Sequence, residues 1–337
     1  MKLTGITVTP HGRASPASLC SVELQTDAGL TGVAVMAQRH RTAAEKLFKA
    51  LLQGQAPGAV TGLWEKMRLA RGARAEARAA LDLALWDLKA KANQEPLWKT
   101  LGGARPRANA HAAGASALPS DRALAQWSET VVRAQGCRGA QLQLTGDGKR
   151  DTWRLGLVRE SMAAVTRSPA LMVRMGANAS TGEVLRRVRK LERTFDLTWV
   201  EHAAPDHDVG ALKRVSDGIY GALCAGGTLD QFEDFLVCLR RRAVDVLQLD
   251  IGRLGISGAL QVADAAFGYE LPVTLCAVPG NVHAHAAGVM PTMMSVEILD
   301  PAPANAAFTT DVRIENGWAV AGDLPGNGIV PVRRGRR

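Results

Sequence analysis

From Arg105 to Leu299 the sequence repeats one unit, an apolar stretch followed by a helix-patterned one, at a spacing of roughly 25 to 35 residues. The stretch Val244–Val278, VDVLQLDIGRLGISGALQVADAAFGYELPVTLCAV, shows the unit whole: strand, short turn, helix, strand, with Asp250 closing the first strand and Cys276 the second. Strands joined through a helix run parallel, because such a crossover cannot form a hairpin, so residues at the strand ends face one mouth. Candidate strands end near Gly114, Leu144, Arg174, Glu201, Ala225, Asp250, Cys276 and Leu299. Eight parallel strands separated by helices predict a closed (β/α) barrel, and the lack of an early GxGxxG after a strand counts against a dinucleotide fold. The working residues of such a barrel sit where its strands end.

The flanks follow other patterns. Residues 2 to 36 alternate apolar and polar around Leu3, Ile6 and Val8, with a turn at Asp27-Ala28-Gly29, which predicts a small antiparallel sheet. From Thr42 to Leu101 the period is helical, placing Leu81, Ala84, Leu85 and Leu88 on one face, and Gly102-Gly103 ends it. After Asp300 the repeat stops, and ENGWAVAGDLPGNGI predicts a strand and turns that return to the N-terminal sheet. The expected division is an α+β cap from residues 1–104 and 301–337 over a barrel at 105–300.

No run approaches the ~18 apolar residues of a membrane span, and MKLTGITVTP lacks the pattern of a signal peptide, so a soluble, cytoplasmic protein is expected. Five widely spaced cysteines without a CxxC pair predict free thiols. The net charge of +9 comes from arginine runs such as LRRVRKLER and the terminal VRRGRR. With acidic residues interleaved and aromatics at only 4%, these runs read as solvated faces, and nucleic acid is not the expected partner.

Several segments together resemble the mandelate racemase and muconate lactonizing branch of the enolase superfamily: ARAALDLALWDLKAKANQEPLWKTLGG, TDAGLTGVA, LTWVEH, VDVLQLDIGRLGISGAL and ENGWAVAGDLPGNGI. The resemblance implies a (β/α)7β-type TIM barrel under an α+β capping domain. It also implies removal of a proton beside a carboxylate by a lysine or histidine base, with Mg²⁺ meeting the developing charge. Taken position by position, the chain departs from that pattern. Of three carboxylate metal ligands only Glu201 in WVEH is retained, with Arg174 in LMVRMG and Gly227 in GALCAGGTL at the other two positions. A guanidinium at a ligand position repels a cation, so no cofactor is expected; Mg²⁺ is the alternative.

The base positions differ as well. Gln141 and Gln143 stand where a K-x-K pair is expected, and Cys276 stands where a histidine would pair with Asp250. Glu297 matches an acidic position on the eighth strand, and His111 near the first strand is expected to line the pocket. Arg174 is expected to pair with Glu201 and, across the mouth, with Asp250, while Cys276 reads as a buried structural thiol. His202, Asp206, His207 and Asp208 read as a polar loop more readily than as an unorthodox metal site, and the HxH of His283 and His285 is weak evidence for a metal. The loop PHGRASPAS is short, and GVAVM replaces a GxGE-like segment. The resulting reading is a catalytically degenerate relative that binds a small anionic or carboxylate ligand, or serves a non-catalytic role, as a homo-oligomer. The alternative is an active acid-sugar dehydratase or racemase with a rearranged or metal-free site.

Overall fold

The computed structural model describes residues 1–11, 18–114, 120–176, 179–298 and 308–332. Most of the loop PHGRASPAS, the strand end expected at Leu299 and the terminal arginine run lie outside these residues. The chain opens with β1 (Leu3–Pro10), β2 (Leu19–Thr26) and β3 (Thr31–Ala37), an antiparallel meander in the order β1-β2-β3. The expected turn joins β2 to β3, with Gly29 at φ +78°. Four helices follow: α1 (Arg41–Leu47), α2 (Val60–Leu69), α3 (Ala75–Ala92) and α4 (Leu97–Thr100). Helix α3 lies on β3, and at Gly32 any Cβ would sit 2.2 Å from the Ala84 carbonyl, so only glycine permits this approach.

The repeat then unfolds as the sequence predicts. Strands β4 (Arg107–Ala112), β5 (Gly139–Gln143), β6 (Ala170–Arg174), β7 (Leu197–Glu201), β8 (Ala222–Ala225), β9 (Val246–Leu249), β10 (Val273–Leu275) and β11 (Met293–Ile298) run parallel, and β11 pairs with β4 to close the barrel. The crossovers carry α5 (Asp121–Trp127), α6 (Gly148–Ala163), α7 (Thr181–Leu191), α8 (Val209–Ser216), α9 (Phe232–Arg241), α10 (Ile251–Gly268) and the short α11 (His283–Ala287). Inside the barrel Met172, Trp199, Cys224 and Val246 form their own packed cluster, apart from the main core between strands and helices. Met172 and Trp199 lie two residues before Arg174 and Glu201, so strand alternation stacks the mouth directly above this apolar floor.

The C-terminal segment departs from expectation. Strands β13 (Arg313–Glu315) and β14 (Trp318–Val320) form a hairpin that adds antiparallel to barrel strand β4, not to the N-terminal sheet, while β12 (Phe308–Thr309) pairs with β15 (Val330–Pro331). Beyond the hairpin the chain does reach the cap: Asn327 N donates to Asp87 Oδ1 at 2.7 Å, and its Nδ2 donates to the Val33 carbonyl at 2.8 Å. Cap and barrel also lock through α3 and α10. Buried Asp82 accepts from Ser257 N at 3.0 Å and from Ser257 Oγ at 2.6 Å, and Trp86 Nε1 donates to the same hydroxyl at 3.0 Å. The five cysteines are unpaired, and among the described residues no helix is long and apolar enough to cross a membrane.

Candidate active site

Parallel pairing of β6 with β7 puts Arg174 and Glu201 in register at the C-terminal mouth. Arg174 Nη2 lies 3.1 Å and Nε 3.3 Å from Glu201 Oε2, while Trp199 Nε1 donates to the other carboxylate oxygen at 2.6 Å. Glu201 is fully buried, and a carboxylate there needs this cation and these donors to offset lost hydration. Among the described residues Arg174 Nη1 has no hydrogen-bond partner, which leaves two N–H groups for a ligand.

The second partner of Arg174 is Glu297, with Oε1 3.6 Å from Nη2, and not Asp250 as the sequence suggested. Asp250 instead follows β9 as the N-cap of α10, its Oδ1 accepting from Gly252 N at 2.7 Å. Burial raises the Asp250 carboxyl to about 6, opposed by that backbone bond. Burial likewise raises Glu297 to about 7 despite the attraction of Arg174. Cys276 is half-buried and not sealed in the core as expected; desolvation and the nearby carboxylates push its thiol well up, so it stays protonated at neutral pH.

The remaining candidates divide. Gln143 pairs in register with Arg174, and its Nε2 donates to the Met175 carbonyl at 3.0 Å; Gln141 is buried with Nε2 unpartnered among the described residues. His111 is buried inside the barrel, edge-on to Trp199, with Nδ1 2.9 Å from Ser295 Oγ and a pKa lowered by burial to about 4. Gly227 closes a gap: a Cβ there would lie 2.5 Å from Gln248 Oε1 and 3.2 Å from Cys276 Sγ. The polar loop after β7 has structural tasks, Asp206 accepting from Thr228 N and Oγ1 and Asp208 capping α8. His283 donates from Nε2 to the Glu297 carbonyl at 2.8 Å, and His285 is buried with Nε2 4.0 Å from Asp311 Oδ1. Among the described residues no group of three or more His, Cys, Asp and Glu side chains is disposed to hold a metal ion.

Between the mouth and the cap lies a cavity of about 220 Å³ that sequence reasoning did not anticipate, lined by Asp250 and Ala277 from the barrel and by His40, Arg39 and Glu76 from the cap. Only the helix-to-sheet docking angle brings the segment after β3 over the strand ends, and no local pattern encodes that angle.

A closed eight-stranded barrel roofed by a sheet-and-helix cap, with charged groups at the strand ends, is the architecture of the enolase superfamily. Within it, the chain belongs to the mandelate racemase and muconate lactonizing enzyme family: residues 6–102 match that family's N-terminal domain and residues 123–334 the enolase C-terminal domain-like family. It is 28% identical to 3,6-anhydro-alpha-L-galactonate cycloisomerase of Streptomyces coelicolor, over 97% of this chain and 92% of that one. It is 25% identical to arabinonate dehydratase of Saccharolobus solfataricus, over 93% and 88%. The crystal structure of L-talarate dehydratase from Polaromonas sp. JS666, complexed with Mg and L-glucarate, superimposes with a TM-score of 0.82 at 24% identity, covering 98% of this chain and 95% of that one; this is a likeness of fold.

Proposed function

We propose that this chain is a lyase or isomerase of small carboxylic acids that works without a divalent metal, Arg174 supplying the fixed positive charge at the mouth. The observation that carries this reading is the guanidinium held between Glu201 and Glu297, with Nη1 unpartnered among the described residues. The sugar-acid dehydratase and cycloisomerase relatives support carboxylate chemistry at this position in the fold.

The residues present do not fit Mg²⁺. The ion requires near-octahedral oxygen coordination. Here a guanidinium stands between the two buried glutamates at the strand ends, and the space a side chain at position 227 would need is taken by Gln248 and Cys276. This supports the reading that Arg174 and Gly227 replace ligands of the family pattern.

The chemistry then follows from two carboxyls at the strand ends, Asp250 and Glu297, which burial raises towards neutrality. The substrate carboxylate pairs with Arg174 Nη1. Asp250, ionised above about 6, takes the proton from the adjacent carbon, and the electron pair left behind delocalises onto the substrate carboxylate, where Arg174 meets the added charge. Glu297, protonated below about 7, returns a proton to that carbon in an isomerisation, or protonates a departing hydroxyl so that it leaves as water in a dehydration.

A panel of hydroxy acids is assayed with EDTA and with added Mg²⁺. Turnover that is indifferent to both and lost in Arg174→Gln is expected; turnover that requires Mg²⁺ rejects the metal-free reading. Tight binding with no turnover of any acid would instead make this a ligand-binding protein built on an enzyme fold.

A further inference from the structure

A second cleft, of about 470 Å³, lies on the cap between α1 with its helical continuation Phe48–Leu52 and residues 70–74, which link α2 to α3. Its volume is in the range of small-molecule sites. The charged groups that line it are all of one sign: Arg39, Lys46, Arg71 and Arg74. Only Arg39 is shared with the cavity over the barrel mouth, so the cleft is a separate place in the fold.

The acidic residues close by in the chain are taken by other cations. Glu45 pairs with Arg41 at 2.8 Å, Glu65 with Arg68 at 2.8 Å and Glu76 with Arg253 at 2.7 Å. Among the described residues no carboxylate lines the cleft, and Lys46, Arg71 and Arg74 have neither an ion pair nor a side-chain hydrogen bond. Arg74 is also the N-cap of the 18-residue α3 and, having no acceptor atom, makes no capping bond, so the positive end of that helix adds to the cations at the rim. Like charges gathered round one cleft repel, and an anion from outside is what relieves them.

The rest of the lining is mostly hydrocarbon. Leu47 and Leu51 fall on successive turns of one helical face, the first buried and the second half-buried. Guanidinium groups match phosphate oxygens two at a time. A phosphate ester carries about two negative charges near neutral pH, so a second phosphoryl group comes closer to balancing the cations of the cleft. No aromatic side chain lines it for stacking, which disfavours single-stranded nucleic acid.

We infer that this cleft binds a small diphosphate ester, its phosphoryl oxygens held by Lys46, Arg71 and Arg74 and its compact apolar body resting on Leu47 and Leu51. The site is independent of the chemistry proposed at the barrel mouth.

The test is calorimetric titration of the full chain near neutral pH and at about 0.15 M salt, with EDTA present, using inorganic diphosphate and dimethylallyl diphosphate. The ester is expected to bind at least about fivefold tighter, because its body buries hydrocarbon. Arg71→Gln and Arg74→Gln, both at exposed positions, are each expected to weaken both ligands about fivefold, and Leu51→Asn to weaken the ester alone. Arg174→Gln at the mouth and Arg133→Gln on a distant helix should leave both affinities unchanged. No binding of either ligand overturns the inference. Binding that survives both cleft arginine variants, or that falls as far in Arg133→Gln, also overturns it, since the anion then sits on diffuse surface charge. Loss in Arg174→Gln alone moves the ligand to the mouth and removes the cleft. Equal affinity for the two ligands overturns the ester and leaves a free-anion site. Co-sedimentation with phosphatidylserine vesicles in the absence of diphosphate binding overturns it in favour of a membrane surface.

Discussion

Arg174 on β6 and Glu201 on β7 are register partners whose side chains meet 3.1 Å apart, the carboxylate fully buried and the guanidinium partly open to the mouth. Arg174→Met therefore leaves Glu201 buried without its cation, and Glu297 loses its partner too. We expect a loss of roughly 3–5 kcal/mol in urea unfolding, with much of it recovered in Arg174→Met/Glu201→Gln. A single variant as stable as the parent shows the pair to be energetically idle.

Acid and base limits on turnover follow from Asp250 near 6 and Glu297 near 7. On the proposed mechanism the productive form would have Asp250 ionised and Glu297 protonated, so kcat/KM is expected to be bell-shaped with its maximum between those values. Glu297→Gln should lower kcat sharply and remove the alkaline limb from the activity that remains. A profile that climbs steadily through pH 8 contradicts this assignment.

The same shift has a sign for stability. Glu297 titrates in the fold above its ordinary value of 4.5, so the native state holds the proton more tightly than the unfolded chain. Its contribution is most favourable below about 4.5 and is lost as pH rises through about 7. Relative to the parent, Glu297→Gln should gain stability between pH 5 and pH 8 in chemical unfolding; a constant difference across that range refutes the shift.

At Gly227 even one methyl group meets Gln248 Oε1 at 2.5 Å. Gly227→Ala is expected to cost about 1–3 kcal/mol, and Gln248→Ser in the same chain to recover most of it. If thermal unfolding shows no cost for the single change, the gap is wider than its geometry indicates.

Asp87 joins three elements: Oδ2 accepts from Val33 N at 2.7 Å, Oδ1 accepts from Asn327 N at 2.7 Å, and Lys91 Nζ lies 2.6 Å from Oδ2. Asp87→Ala orphans two buried amides, for which we expect a loss of about 2–5 kcal/mol and faster amide exchange at Val33 and Asn327. Unchanged exchange at those two amides argues that water replaces the carboxylate.

How much of this was legible in the residues depends on which relationships are local. Strand ends such as Arg174 and Glu201 could be paired from sequence because neighbouring strands of a parallel barrel share a register. The choice of Glu297 over Asp250 as the second partner could not, since it depends on side-chain reach across the mouth and on Asp250 turning to cap α10. The β13–β14 hairpin reads as strand from its own pattern, but nothing in it specifies β4 as the neighbour. His40 carries no signal at all, being one histidine between an arginine and a helix, until the docked cap places it over the barrel.

The cavity draws walls from residues as far apart in the chain as Leu19 and Ile329, and Asn327, which lines it, also ties down the β3 segment that forms another wall. During synthesis, therefore, a chain that has not yet reached Asn327 and Ile329 lacks part of the cavity wall and the tie to β3. A small molecule that uses this cavity would meet its full wall only after Ile329 has been made, and could not assist the folding of shorter chains.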